Sequence, residues 1–161
     1  TLAGRIDIAA GHLQDACEVC LRQDESALLA SRAAQCADAL YTLGHYEEAD
    51  EWAQVSRDRA DRHDLHASAS WRGIASRLAA RRGELELAGR LIDEARAMMA
   101  PSDAVIPIAK LELESAEVYR FARRGDDARR AIERAVALYR AKGNVVAAGS
   151  AQSLLRPSAV V

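Results

Sequence analysis

The stretch Leu43-Gly44-His45-Tyr46-Glu47-Glu48-Ala49 decides how the rest of the chain is read. Gly44 supplies cheaply the left-handed backbone that a helix end needs. Glu47 and Glu48 then open a new helix, whose positive end favours carboxylates. The motif returns as Leu2-Ala3-Gly4-Arg5-Ile6-Asp7-Ile8-Ala9, as Arg82-Gly83-Glu84-Leu85-Glu86-Leu87-Ala88 and as Ala122-Arg123-Arg124-Gly125-Asp126-Asp127-Ala128. The closing alanines Ala9, Ala49, Ala88 and Ala128 lie 40, 39 and 40 residues apart. In three copies a glycine stands five residues before that alanine. In the fourth Arg123 holds the place and Gly125 follows two later, which leaves that turn's geometry open.

The phase continues on both sides. Four and seven residues after the closing alanines stand Leu13 and Ala16, Ala53 and Ser56, Ile92 and Ala95, Ile132 and Ala135. These offsets share one helical face, and the small residues let a neighbouring helix approach. Upstream, Ala33, Cys36, Ala37, Leu40 and Leu43 recur at helical spacing. So do Trp71, Ile74, Ala75, Leu78 and Ala79, then Leu111, Ser115, Ala116, Val118 and Tyr119. Each period reads helix, tight turn, helix. The phase predicts helices near 6–22, 26–42, 46–62, 66–81, 85–99, 103–122, 126–141 and 144–155. Asp103 or Ser102 is the expected cap of the sixth, with Pro107 tolerated in its first turn, and Asn144 the cap of the last.

Composition agrees with helix on helix. The chain holds 35 alanines among 161 residues and only 18 β-branched residues. Aromatics make up 4%, so close approach of small side chains must build the core. The 22 basic and 24 acidic residues nearly cancel, which argues against a nucleic-acid or anionic-membrane partner. The doublets Arg81-Arg82, Arg123-Arg124 and Arg129-Arg130 are interleaved with acids and lack stacking aromatics. No apolar run approaches a membrane span of roughly 18 residues, no signal peptide opens the chain, and the thiols suit a reducing compartment, so a cytoplasmic location is expected. The absence of an initiating Met suggests a piece of a longer protein.

Units with Leu-Gly-x-Tyr-x-Glu-Ala across the turn resemble tetratricopeptide repeats, and the resemblance covers nearly the whole chain. It implies an all-α, right-handed superhelical solenoid of antiparallel helix pairs, about eight helices in all. The period of 39–40 exceeds the family's usual 34 or so, which longer helices and loops such as Asp58 to Ala67 would absorb. The whole chain, 1–161, then forms one repeat domain. It comprises a half repeat at 1–23, repeats at about 24–64, 65–101 and 102–142, a capping helix at 143–156 and a frayed tail at 157–161. Ile8 and Leu13, in the half repeat, would lack packing, which predicts fraying there or a homodimer through that end. Phase, alanine content and the segment Ala141-Lys142-Gly143-Asn144-Val145-Val146-Ala147-Ala148 also look similar to the carboxy-terminal repeat regions of large bacterial regulators that carry ATPase, cyclase-like or DNA-binding modules.

Catalytic chemistry finds little purchase. Cys17-Glu18-Val19-Cys20 has metal or redox spacing, but no second pair follows, and His63 and His66 do not complete a compact finger. His12 and His45 stand near no evident nucleophile motif. Neither an enzyme, a metal site nor a cofactor is expected. Trp71 on its apolar stripe and Met98-Met99 read as packing, and Trp52 as half exposed.

In the family resembled, the first helix of each pair lines a concave groove. That implies Gln35, Asp38, Tyr41 and Thr42 from one pair, Arg77, Ala80 and Arg81 from the next, and Lys110, Glu114, Glu117, Arg120 and Phe121 from the third. Gln152 and Arg156 would follow from the capping helix. Arg77 and Arg81 share a face, and with Arg120 they form an expected cationic spot for a carboxylate or phosphate. Against it stands a solvated face with local pairs such as Glu117 to Arg120 or Arg124. The Lys and Asn pattern of the family's carboxylate-clamp members is absent. The expected function is non-catalytic recognition of a protein or peptide, or of other domains of the parent protein. A small-molecule effector sensor and a structural spacer or self-association unit are the alternatives.

Overall fold

A computed structural model describes residues 2–23, 26–61 and 63–155. Among them the chain forms eight helices and no strand. They are α1 (Leu2–Gln23), α2 (Ser26–Leu43), α3 (Tyr46–Arg59), α4 (Leu65–Arg81), α5 (Leu85–Met99), α6 (Val105–Phe121), α7 (Gly125–Ala141) and α8 (Val145–Ser153). None of these helices is long and apolar enough to cross a membrane. Each helix packs on the next, and α2, α4 and α6 also pack on one another in a row. The odd-numbered helices make no comparable contact among themselves.

The tight turns carry the period. At Gly44 the backbone turns left-handed, with φ +87°. Gly44 N–H donates to the Tyr41 carbonyl at 3.0 Å and His45 N–H to the Leu40 carbonyl at 2.9 Å. This pair of bonds is a Schellman closure. It recurs at Gly83, at Arg123 and at Gly143. The residue after each left-handed position caps the next helix, because its carbonyl accepts from Ala49, Ala88, Ala128 or Ala148 N–H. The closing alanine therefore occupies the first position that completes a full helical hydrogen bond. All four of these alanines are buried.

The fourth turn keeps its geometry without glycine. Arg123 adopts φ +58°, and Gly125 begins α7 instead. The first motif departs more. Residues 2–9 lie inside α1, so Gly4 marks no turn. A glycine is tolerated in a helix at a cost of roughly 1 kcal/mol. The buried face of α1 is also rotated by one residue. Cys17 and Cys20 are buried, while Leu13 and Ala16 are half-buried. Ile8 is largely exposed. The Ala9 side chain, Arg156 and the tail at 157–161 lie outside the described residues.

One expected cap is not made and the other is. Neither Ser102 nor Asp103 caps α6. Ala104 stands at its N-cap without a side-chain bond, and the Ser102 hydroxyl accepts from Ala104 N–H at 3.1 Å. Asp64 caps α4 by accepting from Ala67 N–H at 2.9 Å. Asn144 caps α8, accepting from Ala147 N–H at 3.1 Å. The third helix stops at Arg59, where Ala60 turns extended.

The core is a chain of alanine-lined crossings. Cys17, Leu29, Cys36 and Ile74 anchor the cluster around α1 to α4. Ile92 and Met99 anchor the next, and Ile132 with Tyr139 the last. Full burial of Ile74, Ile92 or Ile132 contributes roughly 1.5–3 kcal/mol each.

Candidate functional site

The row of α2, α4 and α6 collects most of the groove residues read from the sequence. Arg77 is its centre. It lies one turn before the C-terminal end of α4 and is only 7% exposed. Its Nη2 donates to Asp38 Oδ1 at 2.6 Å and lies 3.4 Å from Glu114 Oε1. Its Nη1 lies 3.8 Å from Glu117 Oε2. The guanidinium also stacks on the Tyr41 ring, 4.2 Å from the centroid. Tyr41 in turn donates its hydroxyl proton to Glu117. Lys110 Nζ reaches Asp38 Oδ2 at 2.8 Å and Glu114 Oε1 at 3.8 Å. One guanidinium and one ammonium thus tie three helices together through three carboxylates.

The electrostatics follow from burial and pairing. Burial alone would raise the Asp38 carboxyl, but Lys110 and Arg77 hold it below its ordinary value. Glu114 goes the other way, because desolvation outweighs Arg77 and Lys110 and raises it. Burial and the bond to Glu117 raise the Tyr41 phenol. Burial would weaken the Arg77 cation, and Glu114, Asp38 and Glu117 more than compensate. Breaking such a buried pair from one side costs about 3–5 kcal/mol.

Gly73 makes the arrangement possible. A Cβ there would stand 2.0 Å from Glu114 Oε2. The missing side chain is the space in which α4 receives the α6 carboxylate. Nothing in the helical phase singled out Gly73. An acid on α6 and a glycine in the interior of α4 are the only traces such a fit leaves in a sequence.

The expected cationic spot does not form. Arg77 is buried and committed to carboxylates of its own chain. Arg120 points away and donates to the Leu154 carbonyl at 2.7 Å. Of the three, Arg81 alone remains on the face, exposed and 3.9 Å above the Tyr46 ring. Phe121 lies near it, 5.7 Å from the guanidinium, and is 38% exposed. Gln35 and Thr42 are exposed, whereas Ala80 is buried. Glu117 pairs across helices with Arg77, not locally with Arg120 or Arg124. Gln152 is exposed and accepts from Arg140 Nη2 at 2.8 Å.

A second network escaped the sequence reading. The buried Glu112 accepts from Arg134 at 2.7 and 3.0 Å and from Arg96 at 3.2 Å. Arg96 also donates to the Tyr119 hydroxyl at 3.2 Å. Glu112 stands four residues before Ala116, on the apolar stripe, and an acid there requires a cationic partner. The cysteines are core residues. Burial and the neighbouring Cys20 push the Cys17 thiol up to about 11. Burial and Cys17 push Cys36 up to about 12. Trp71 is half-buried under the Arg72 guanidinium, 4.2 Å from the centroid, and Trp52 packs partly against the first core cluster.

No family model matches this chain, and no curated protein matches it.

Proposed function

We propose that the chain is a right-handed superhelical solenoid of the tetratricopeptide-repeat kind, acting as a non-catalytic module that binds a protein segment along the face of α2, α4 and α6. The observation that carries this reading is the Arg77 network. It fixes three alternate helices before any partner arrives, and exposed Gln35, Arg81 and Phe121 come from those same helices. A preformed face spends little ordering entropy on binding, and Arg and aromatic side chains are the ones that anchor interfaces. The in-phase Schellman turns and the contacts between alternate helices support the repeat architecture.

The test is affinity capture from the source cells with the wild-type chain and with an Arg81→Glu, Phe121→Ala variant of equal thermal stability. A protein retained by the first and lost with the second supports the reading. Equal retention by both moves the interface elsewhere. Self-association is a second reading, favoured by exposed Ile8, Val19 and Leu28 on α1 and the start of α2. A concentration-independent monomer in sedimentation equilibrium would remove it.

A further inference from the structure

A cavity of about 230 Å³ opens beside the Arg77 network, between α4, the end of α5, α6 and the end of α7. At roughly 30 Å³ per water-sized group it holds about eight non-hydrogen atoms. Its walls divide by chemistry. Met99, Ile106, Pro107 and Leu111 form an apolar side. Glu114, with the Ser70 and Tyr139 hydroxyls, forms a polar one, and Lys110 and His66 complete the lining.

Glu114 is the unusual member. Its side chain is 6% exposed, yet its ion pairs to Arg77 and Lys110 stand at 3.4 and 3.8 Å. Short charge-assisted bonds run at about 2.7–2.9 Å. Asp38 receives both of its cations at that range, 2.6 and 2.8 Å. The Glu114 carboxylate makes no hydrogen bond to a side chain of any described residue. The cluster also holds three carboxylates, Asp38, Glu114 and Glu117, against the two cations that pair with them. A buried carboxylate held only by long ion pairs, on the wall of a cavity, favours a cationic donor. An anion would meet Glu114 at close range. To reach Lys110 it would also have to draw that ammonium from Asp38.

We propose that this cavity binds a small organic ammonium compound, with its charged nitrogen donating to Glu114 and its short apolar body against Met99, Ile106 and Leu111. The Ser70 and Tyr139 hydroxyls, which have no partner among the described residues, are free to accept the remaining ammonium protons. The site is separate from the exposed edge at Arg81 and Phe121, so it stands or falls independently of partner binding there.

Three probes of one shape test it: cyclohexylmethylammonium, cyclohexylmethanol and cyclohexanecarboxylate. Each is titrated into the chain while the Met99 methyl resonance is followed by NMR. The expected result is a saturable shift with the ammonium probe, at a dissociation constant on the order of 1 mM or tighter. The alcohol and the carboxylate should bind about tenfold more weakly or worse. Glu114→Gln should abolish that preference. Ile106→Trp, a change at an exposed rim position, should block the ammonium probe without altering any charge. No saturable shift with the ammonium probe overturns the proposal, and so does equal or tighter binding of the alcohol or the carboxylate. Persistence of the preference in Glu114→Gln also overturns it. Should that variant fail to fold, the ranking of probes and the Ile106→Trp variant decide.

Discussion

Two glycines in helix interiors separate a packing role from a backbone one. At Gly73 a methyl group would displace the buried Glu114 carboxylate. At Gly89 in α5 it would meet nothing within 4 Å. Gly73→Ala should therefore destabilise the fold by about 1–2 kcal/mol, overpacking outweighing the gain in helix propensity. Gly89→Ala should stabilise it by about 0.5–1 kcal/mol. Urea unfolding of both variants checks the pair. Two of the three acids around Arg77, Asp38 and Glu114, predict opposite pH slopes. The folded Asp38 carboxyl titrates below its ordinary 3.8, so its contribution is complete above that value and is lost as pH falls through the folded one. Glu114 titrates above its ordinary 4.5. Its contribution is present below that value and is lost as pH rises through the folded one. Asp38→Asn should flatten the loss of stability on acidification, and Glu114→Gln the loss on going the other way. Urea midpoints measured across about pH 3–7 show whether the slopes separate.

At the scale of the element, the turns were the most legible part. The glycines five residues before Ala49 and Ala88 do adopt positive φ, because only there does a helix reverse so tightly. Arg123 occupies the equivalent place and pays for its side chain with left-handed strain of roughly 1–2 kcal/mol. Arg123→Gly should raise stability by about 0.5–1 kcal/mol, part of the relieved strain being offset by the freer unfolded chain. Thermal unfolding measures it, and a loss of stability would mean that the Arg123 side chain holds the turn in another way. Gly143 shows what the period concealed. It repeats the closure only 20 residues after Arg123, between α7 and α8, and Ala148 follows five later as in the other turns. The sequence reading placed a helix break there with Asn144 as the next cap, but reading by whole periods did not see it as another copy of the turn. Gly4 shows the reverse error, since a matching letter pattern lies inside a continuous helix. A glycine permits a turn and does not compel one.

For the whole molecule, phase marked equivalent positions in successive helices, and the resemblance to tetratricopeptide repeats implied that the first helix of each pair shares a face; α2, α4 and α6 do pack on one another. The chemistry of that row was not legible. The resemblance implied a common face for Asp38, Tyr41, Arg77, Lys110, Glu114 and Glu117, but burial decided their roles. Arg77 reads as a free cation in the sequence and proves to be the internal tie between helices. Depth depends on Gly73 and on how far α4 enters between its neighbours, and no spacing rule encodes that. The proposed partner face is thereby reduced to the residues at the exposed edge. The most direct test places a photo-crosslinking amino acid at Gln35, Arg81 or Phe121, and in parallel at the exposed positions Glu51, Arg90 or Glu133 on α3, α5 and α7. Irradiation in the source cells should give a discrete protein adduct from the first three positions and none from the others. Adducts confined to α3, α5 and α7, or absent from every position, would contradict the account.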